Sequence, residues 1–374
     1  MKPIKTLLVL FLATLIAMPC MGEECRYRGE ASIFVPFSNA MTNANLDQSP
    51  EINVGFDGDN SYYPFIMDTG SCGIVASQDI FQPAAGAINL GPGSTEYTNG
   101  SFVKVYSGNY YTATQQLYDE YGNILATSDV PVLQVTQLNE GGTITTPTKF
   151  ALMGIGFGRE NPDVIPAKTP AYNVFLNLTS IFRKGTLRPL PKDWVNGYVI
   201  SPRGAELGLT AKNTTDAGFI KLTLWPEYST RDLPEWTPMS GTLCINGVCA
   251  EAQSVMDTGI TGGILLPPSG VNLGTLIDCP GTTSPQCVPD GNVFDIYYPN
   301  ETHPVAFYTF TTGQTGNPMQ PASIAIQTRP TIYWNTSRHF LGGMNFVYDN
   351  KHGYAGFIWN HQTSSDYGYV IPSK

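Results

Sequence analysis

The chain is short of charge and of histidine. Only 13% of its 374 residues are Asp, Glu, Lys or Arg, about half the usual share, and the net charge is −10. This negative balance disfavours nucleic acid and anionic membranes as partners. The four histidines lack metal-ligand spacing, and the chain has neither a phosphate-binding loop nor a Gly-x-Ser-x-Gly motif. We therefore expect no metal and no cofactor.

Long apolar runs are also scarce. One run, residues 7–18, follows Lys2 and Lys5 and is too short to span a bilayer comfortably. Small residues stand just before position 23, so residues 1–22 are typical of a signal peptide. No second long apolar run follows, and we expect a secreted, extracellular protein without a membrane span.

Glycine and proline, in contrast, are plentiful, with 38 and 29 residues. Long helical periodicity is absent, which predicts a mostly β fold rich in turns. A chain of this length is too long for one small core and suits two lobes. A short helix is expected at residues 175–183.

The cysteines predict disulfides. Six remain after the signal peptide, and an even number in an exported chain suggests three bridges, with free buried thiols as the alternative. Residues 245–248 (INGV) are a strong signal for a two-residue hairpin, which would place the flanking cysteines opposite each other. Another pair flanks a short loop, and the last pair follows by elimination. The expected bridges are Cys244–Cys249, Cys279–Cys287 and Cys25–Cys72.

Five Asn-x-Ser/Thr sequons predict a glycoprotein, if the source is eukaryotic. They stand at Asn99, Asn177, Asn213, Asn300 and Asn335.

Two short stretches of the chain repeat one pattern. Residues 65–71 (FIMDTGS) and 254–261 (SVMDTGIT) each lead from apolar residues into Asp-Thr-Gly. One such motif would be weak evidence, but two in matching contexts form an internal repeat. Each is typical of a buried strand that ends in a tight turn, with Asp68 or Asp257 at the strand's end.

The repeat extends downstream of each aspartate. Residues 151–156 (ALMGIG) follow the first motif and residues 339–344 (HFLGGM) the second, with Gly154 86 residues after Asp68 and Gly342 85 residues after Asp257. The chain therefore divides into two related lobes. If the lobes face each other, the two aspartates meet between them.

These paired motifs, with residues 346–349 (FVYD) leading to Gly356-Phe357, resemble the pepsin-like aspartic peptidases over roughly residues 30–360. The resemblance implies a mostly β, bilobal acid-protease fold, with two related β-barrel-like lobes around a central cleft. The implied N-terminal lobe is residues 23–210 and the C-terminal lobe 211–374.

The function implied by the resemblance is that of a secreted, monomeric aspartic endopeptidase, a hydrolase acting on peptide or protein substrates at acidic pH. Its catalytic residues would be Asp68 and Asp257. Two carboxylates that flank one water cannot both ionise, as is known for aspartic-protease dyads, so they share a proton. One takes a proton from the attacking water and the other protonates the carbonyl oxygen. The alternative is a catalytically weak or inactive homologue that binds a protein or polysaccharide partner.

Supporting residues also follow from the resemblance. Threonines would brace the two loops, glycines would allow the turns, and Ser71 would bond the outer oxygen of Asp68. Ile260 stands where the family normally has Ser or Thr, so the hydroxyl group expected next to Asp257 is missing. Thr261 is the next residue, but its side chain should point to the opposite side of the chain and so does not simply replace that hydroxyl. The supporting set is Thr69, Gly70, Ser71, Thr258, Gly259 and Thr261.

A hairpin over the cleft is expected within residues 97–117. Strand-like segments 101–106 and 109–114 flank Ser107-Gly108, and in the family such a flap carries a tyrosine near its tip. Tyr106, with Ser107 and Gly108, fits by position. Residues 97–101 (YTNGS) match the sequence pattern of the family's flap about as well, so Tyr97 is the other candidate. The alternative for either tyrosine is a half-buried strand residue without a role in the site.

Overall fold

The computed structural model describes residues 27–39, 46–59, 61–99, 102–159, 170–230, 232–281, 285–361 and 363–373. The predicted signal peptide and Cys25 lie outside these residues. Within them strands dominate and every helix is a short 3-10 turn, so the expected mostly β fold is confirmed. The described part of the chain contains no helix that is long and apolar enough to cross a membrane.

The secondary structure consists of short strands and single helical turns. In chain order the strands are β1 Ile33–Pro36, β2 Glu51–Phe56, β3 Tyr62–Asp68, β4 Cys72–Ser77, β5 Asn89–Asn99, β6 Phe102–Tyr111, β7 Thr114–Tyr118, β8 Ile124–Asp129, β9 Val132–Glu140, β10 Thr143–Thr145, β11 Ala151–Ile155, β12 Leu178–Arg183, β13 Thr186–Pro189, β14 Gly197–Ser201, β15 Gly204–Leu207, β16 Gly218–Lys221, β17 Met239–Ile245, β18 Val248–Val255, β19 Gly263–Leu266, β20 Ile277–Asp278, β21 Gln286–Cys287, β22 Val293–Tyr298, β23 Ala306–Thr311, β24 Ile324–Ile326, β25 Tyr333–Asn335, β26 Met344–Asp349, β27 Tyr354–Trp359 and β28 Gly368–Val370. The 3-10 helices are Pro170–Tyr172, Val174–Leu176, Pro226–Tyr228, Arg338–Gly342 and Ser365–Tyr367.

Burial along the strands separates central from outer positions. In β23, buried Tyr308 and Phe310 alternate with more exposed Phe307 and Thr309, the pattern of a strand with one solvated face. Every residue of β4 and β11 is buried. These two apolar strands are therefore covered on both faces, and they lie beside the first aspartate.

Two of the three sheets in the described part of the chain share one local strand order. A 12-stranded sheet contains the order β2-β3-β11-β4-β9, and a 10-stranded sheet contains β17-β18-β25-β19-β24. In each, the third strand runs parallel to the strand that leads to Asp-Thr-Gly and antiparallel to the fourth. The fourth strand is parallel to the fifth in both. The internal repeat of the sequence is thus a repeat of strand order.

The predicted match between residues 151–156 and residues 339–344 is wrong for the second segment. Residues 151–155 do form the strand β11 next to Asp68. The strand parallel to β18 is β25, Tyr333–Asn335, whereas most of the 339–344 segment lies in the 3-10 helix Arg338–Gly342. Glycines in both segments suggested a match, but the aromatic β25 supplies the pairing.

The third sheet joins early and late parts of the chain. Its order is β1-β15-β14-β26-β27-β16. The ring of Tyr348 in this sheet stacks 4.2 Å from that of Phe157, which lies just after β11 of the 12-stranded sheet. The ring of Phe357 stacks 5.0 Å from that of Tyr298 in the 10-stranded sheet. The predicted boundary at residue 210 falls between β15 and β16, and the lobe limits stay a prediction.

Two of the three expected disulfides are confirmed. Cys244 and Cys249 lie opposite each other in the β17–β18 hairpin, whose turn residues Asn246 and Gly247 have φ of 51° and 80°. The second bridge, Cys279–Cys287, closes the expected short loop. The Cys25–Cys72 pairing stays a prediction because Cys25 is outside the described residues.

Candidate active site

The two Asp-Thr-Gly turns meet, and the structure brings Asp68 and Asp257 together. Both side chains are buried, with 6% and 7% exposure, and their carboxyl groups are in hydrogen-bonding contact. Gly70 N donates to Asp68 Oδ1 at 2.6 Å, and Gly259 N donates to Asp257 Oδ1 at 2.8 Å. A Cβ at Gly70 would lie 2.5 Å from the carboxyl carbon of Asp257, and one at Gly259 2.5 Å from Asp68 Oδ1. Only glycine fits at either position.

Burial and, next, the charge of Asp257 raise the pKa of Asp68 to about 7. Hydrogen bonds from Ser71 and Gly70 oppose this shift. Two touching carboxyl groups in an apolar site cannot both ionise at low cost. The pair therefore holds one proton under acidic conditions and can offer a base and an acid at the same time.

Two threonines tie the turns together. Thr258 Oγ1 accepts from Thr69 N at 3.1 Å and donates to Met67 O at 2.8 Å. In the reciprocal arrangement, Thr69 Oγ1 accepts from Thr258 N at 2.9 Å and donates to Met256 O at 2.6 Å. Both threonines are almost fully buried. These four bonds fix the relative position of the two aspartates.

The outer oxygens of the aspartates have different partners. Ser71 Oγ donates to Asp68 Oδ2 at 2.6 Å. Ile260 offers no hydroxyl to Asp257, and Thr261 places its own hydroxyl 3.1 Å from His339 Nε2 instead. The partner of Asp257 Oδ2 is Asn335, whose Nδ2 donates at 2.6 Å.

Asn335 is a site residue that the sequence analysis missed. The sequence predicts only a glycosylation site at this residue. Asn335 is 3% exposed, however, and its side chain donates to Asp257, so this sequon is not available for glycosylation in the folded protein. It ends β25, the strand parallel to β18. No local pattern connects it with a motif 78 residues earlier.

A buried arginine supports the second turn and was also missed. Arg338, 3% exposed, donates from Nε to Thr258 O at 3.0 Å and from an Nη to Gly259 O at 2.8 Å. It also bonds Asp47 O and Ser49 Oγ, at 3.0 and 2.9 Å. Burial lowers the pKa of Arg338 to about 10, while the nearby aspartates favour its charge, so it remains a cation.

The first turn has a similar partner. Arg159 Nε donates to Thr69 O at 3.3 Å, as Arg338 Nε does to Thr258 O. Each threonine carbonyl is therefore held by a guanidinium group. Arg338 also offsets part of the negative charge of the buried pair.

The predicted turn of the flap is wrong. β5 and β6 pair as antiparallel strands from Asn89–Tyr111 to Asn99–Phe102, with one irregularity between Asn89 and Gly91, and the pairing continues through Ser107 and Gly108. Residues 100–101, which connect the two strands, lie outside the described residues. Ser107 and Gly108 lie within β6, at a bulge against β9. A side chain at Gly108 would collide with the Gln134 carbonyl, so this glycine serves close strand approach and not a turn.

Of the two candidate tyrosines, Tyr97 and not Tyr106 lies near the end of the hairpin. Tyr106 is a buried strand residue whose ring stacks 4.2 Å from Phe150. Tyr97, the other candidate, lies near the end of β5, with its ring 5.7 Å from that of Tyr106. Its hydroxyl lies beside the Ser71 side chain, and its pKa is raised by burial and next by the charge of Asp68. Tyr97 is the hairpin tyrosine that faces the aspartates.

One group of three potential metal-ligand atoms occurs among the described residues, at Cys244, Cys249 and Glu301. Both cysteines form a disulfide, so this group offers no metal site. No family model and no curated protein matches the chain.

Proposed function

We propose that the protein is a secreted aspartic endopeptidase of the bilobal, pepsin-like type. The observation that carries the proposal is the contact between two buried aspartates at the ends of equivalent strands, one with its pKa raised to about 7. The repeated strand order supports lobes at residues 23–210 and 211–374. The two disulfides among the described cysteines support an oxidising, extracellular location.

The reaction needs one water between the carboxyl groups. The first carboxylate takes a proton from the water while the water oxygen attacks the scissile carbonyl carbon. The second carboxyl group, which is protonated, gives its proton to the carbonyl oxygen. The resulting diol then collapses. One of its hydroxyl protons returns to the second carboxylate, the C–N bond breaks, and the leaving nitrogen takes the proton held by the first. No covalent intermediate forms with the enzyme.

The substrate is proposed to be an extended peptide. Such chains bind through backbone hydrogen bonds and through pockets for alternate side chains. The β5–β6 hairpin, with Tyr97 near its end and facing the Asp68 side of the pair, is the proposed cover over the peptide.

The test is cleavage of denatured globin at roughly pH 3–5, with and without pepstatin. Wild type is compared with Asp68→Asn and Asp257→Asn, and Asp193→Asn, at an exposed turn residue, is the matched control. We expect pepstatin-sensitive cleavage by wild type and control and none by the two dyad variants. A folded wild-type protein that cleaves nothing at any acidic pH would instead support an inactive, partner-binding homologue.

A further inference from the structure

The amide group of Asn335 is held in one orientation. Its Nδ2 donates to Asp257 Oδ2 at 2.6 Å, while its Oδ1 accepts from Ser337 N at 2.9 Å. A flipped amide would set its oxygen against the carboxylate oxygen and its NH2 group against the Ser337 N–H. Both contacts would be repulsive, so the N–H side of Asn335 faces Asp257.

The two aspartates consequently differ in the kind of hydrogen bond they receive. The donors to Asp257 are Asn335 Nδ2 and Gly259 N, and an N–H group can only donate. Asp68 receives one backbone N–H and the hydroxyl of Ser71. A hydroxyl can rotate and accept a hydrogen bond from a carboxylic acid. A protonated Asp68 can therefore donate to Ser71, whereas protonation of Asp257 gains no acceptor from Asn335 or Gly259 and weakens the two bonds that they donate.

We propose that Asn335 is a positioning residue that decides which member of the pair carries the charge. Asp257 is the carboxylate that takes the proton from water, and Asp68 holds the shared proton and delivers it to the carbonyl oxygen. The two proton transfers, from water and to the carbonyl oxygen, rest on the proposed function. The location of the charge is a property of the folded protein alone.

The other groups around Asp257 agree with this assignment. Arg338, behind the second turn, interacts favourably with its charge. Tyr333, on the same strand as Asn335, has a pKa raised by burial and is a neutral phenol at acidic pH. Asp68 faces Asp257 directly, and its raised pKa, caused first by burial, is consistent with its holding the proton. Tyr97 lies on the Asp68 side.

The experiment is a carbon NMR titration of the folded, full-length mature protein labelled at the aspartate carboxyl carbons. The two resonances are assigned by comparison with Asp68→Asn and Asp257→Asn. Between the two titration steps of wild type, we expect the Asp257 carboxyl to be ionised and that of Asp68 to be protonated. The opposite order would overturn the inference, and this measurement needs no Asn335 variant to fold.

Replacement of the amide gives the second measurement. Asn335→Leu keeps a similar volume but removes the donor, and it should raise the Asp257 step by about one to two pH units. The control is Asn173→Leu, which removes a buried amide that donates to Ile155 O and should leave this step unchanged. Equal effects of the two variants, or no shift in Asn335→Leu, would refute the positioning role.

A rescue variant separates the hydrogen bond from packing. Ile260→Thr places a hydroxyl at the position equivalent to Ser71, so in the Asn335→Leu background it should lower the Asp257 step again. If the Asp257 titration step stays as high in the double variant as in Asn335→Leu, loss of the hydrogen bond is not the cause of the shift. Because the titration does not depend on turnover, a protein without peptidase activity but with Asp257 ionised first would refute the function and uphold this inference.

Discussion

Replacement of Thr258 by valine tests the hydrogen bonds that join the two turns. The side chain is fully buried, accepts from Thr69 N at 3.1 Å and donates to Met67 O at 2.8 Å. Valine has a similar shape, so the packing is largely kept while both bonds are lost. Thr258→Ser is the matched control because it retains the hydroxyl and loses only a methyl group.

The expected cost follows from these two bonds. A buried N–H left without its acceptor costs about 1–3 kcal/mol, and the lost bond to the Met67 carbonyl adds about 0.5–1.5 kcal/mol. Thr258→Val should therefore lower the free energy of unfolding by about 2–4 kcal/mol. The serine variant should lose only about 1 kcal/mol. A loss of the larger size is a substantial part of the ~5–15 kcal/mol that stabilises a typical domain.

Urea unfolding of the three proteins measures this difference, with the slope checked for constancy. If the protein is the proposed peptidase, kcat should also fall about 100-fold in Thr258→Val, since a displacement of about 1 Å between catalytic groups has that effect. Thr258→Ser should retain most of its activity. A valine variant as stable as the serine variant would refute the argument that these hydroxyls hold the two turns together.

Three further outcomes are expected. Gly70→Ala places a methyl group 2.5 Å from the carboxyl carbon of Asp257 and should reduce kcat at least ~100-fold; unchanged kinetics would contradict the contact. Arg338→Met leaves the Thr258 carbonyl without its guanidinium partner and should cost about 3 kcal/mol or more of unfolding free energy; equal stability in urea would contradict this. The pKa of Asp68 is about 7 when folded and about 3.9 when unfolded, so the folded state binds more protons between these values. The resulting stabilisation is complete below about pH 4 and is lost as the pH rises through 7; the difference in unfolding free energy between wild type and Asp68→Asn should show this trend, and a rise with pH would refute it.

Features set by local chemistry were predictable from the sequence. The Asn-Gly pair fixed the turn that places Cys244 opposite Cys249, because few other residues accept two successive positive φ angles. The two Asp-Thr-Gly motifs likewise identified Asp68 and Asp257, since a carboxylate after a buried strand is rare without a partner. In both cases neighbouring residues carried the information.

Features set by distant strands were not predictable. Ser107-Gly108 has the composition of a turn, but pairing with β9 keeps the strand extended through it. Residues 178–183 form β12 instead of part of a helix because they pair with β8 and β13. Asn335 reaches Asp257 only because β25 lies parallel to β18. A single sequence does not reveal such pairings.

The six-stranded sheet makes the two halves of the chain depend on each other. β14 lies before residue 210 and its hydrogen-bonded neighbour β26 lies after it. In the same sheet, β1 and β15 come before residue 210 and β27 and β16 after it. A fragment ending near 210 would leave β14 as a bare edge with its apolar residues uncovered, and such edges are prone to aggregation. Neither fragment should be recoverable in soluble form alone, yet the two synthesised together could reassemble, as in a split-protein reporter.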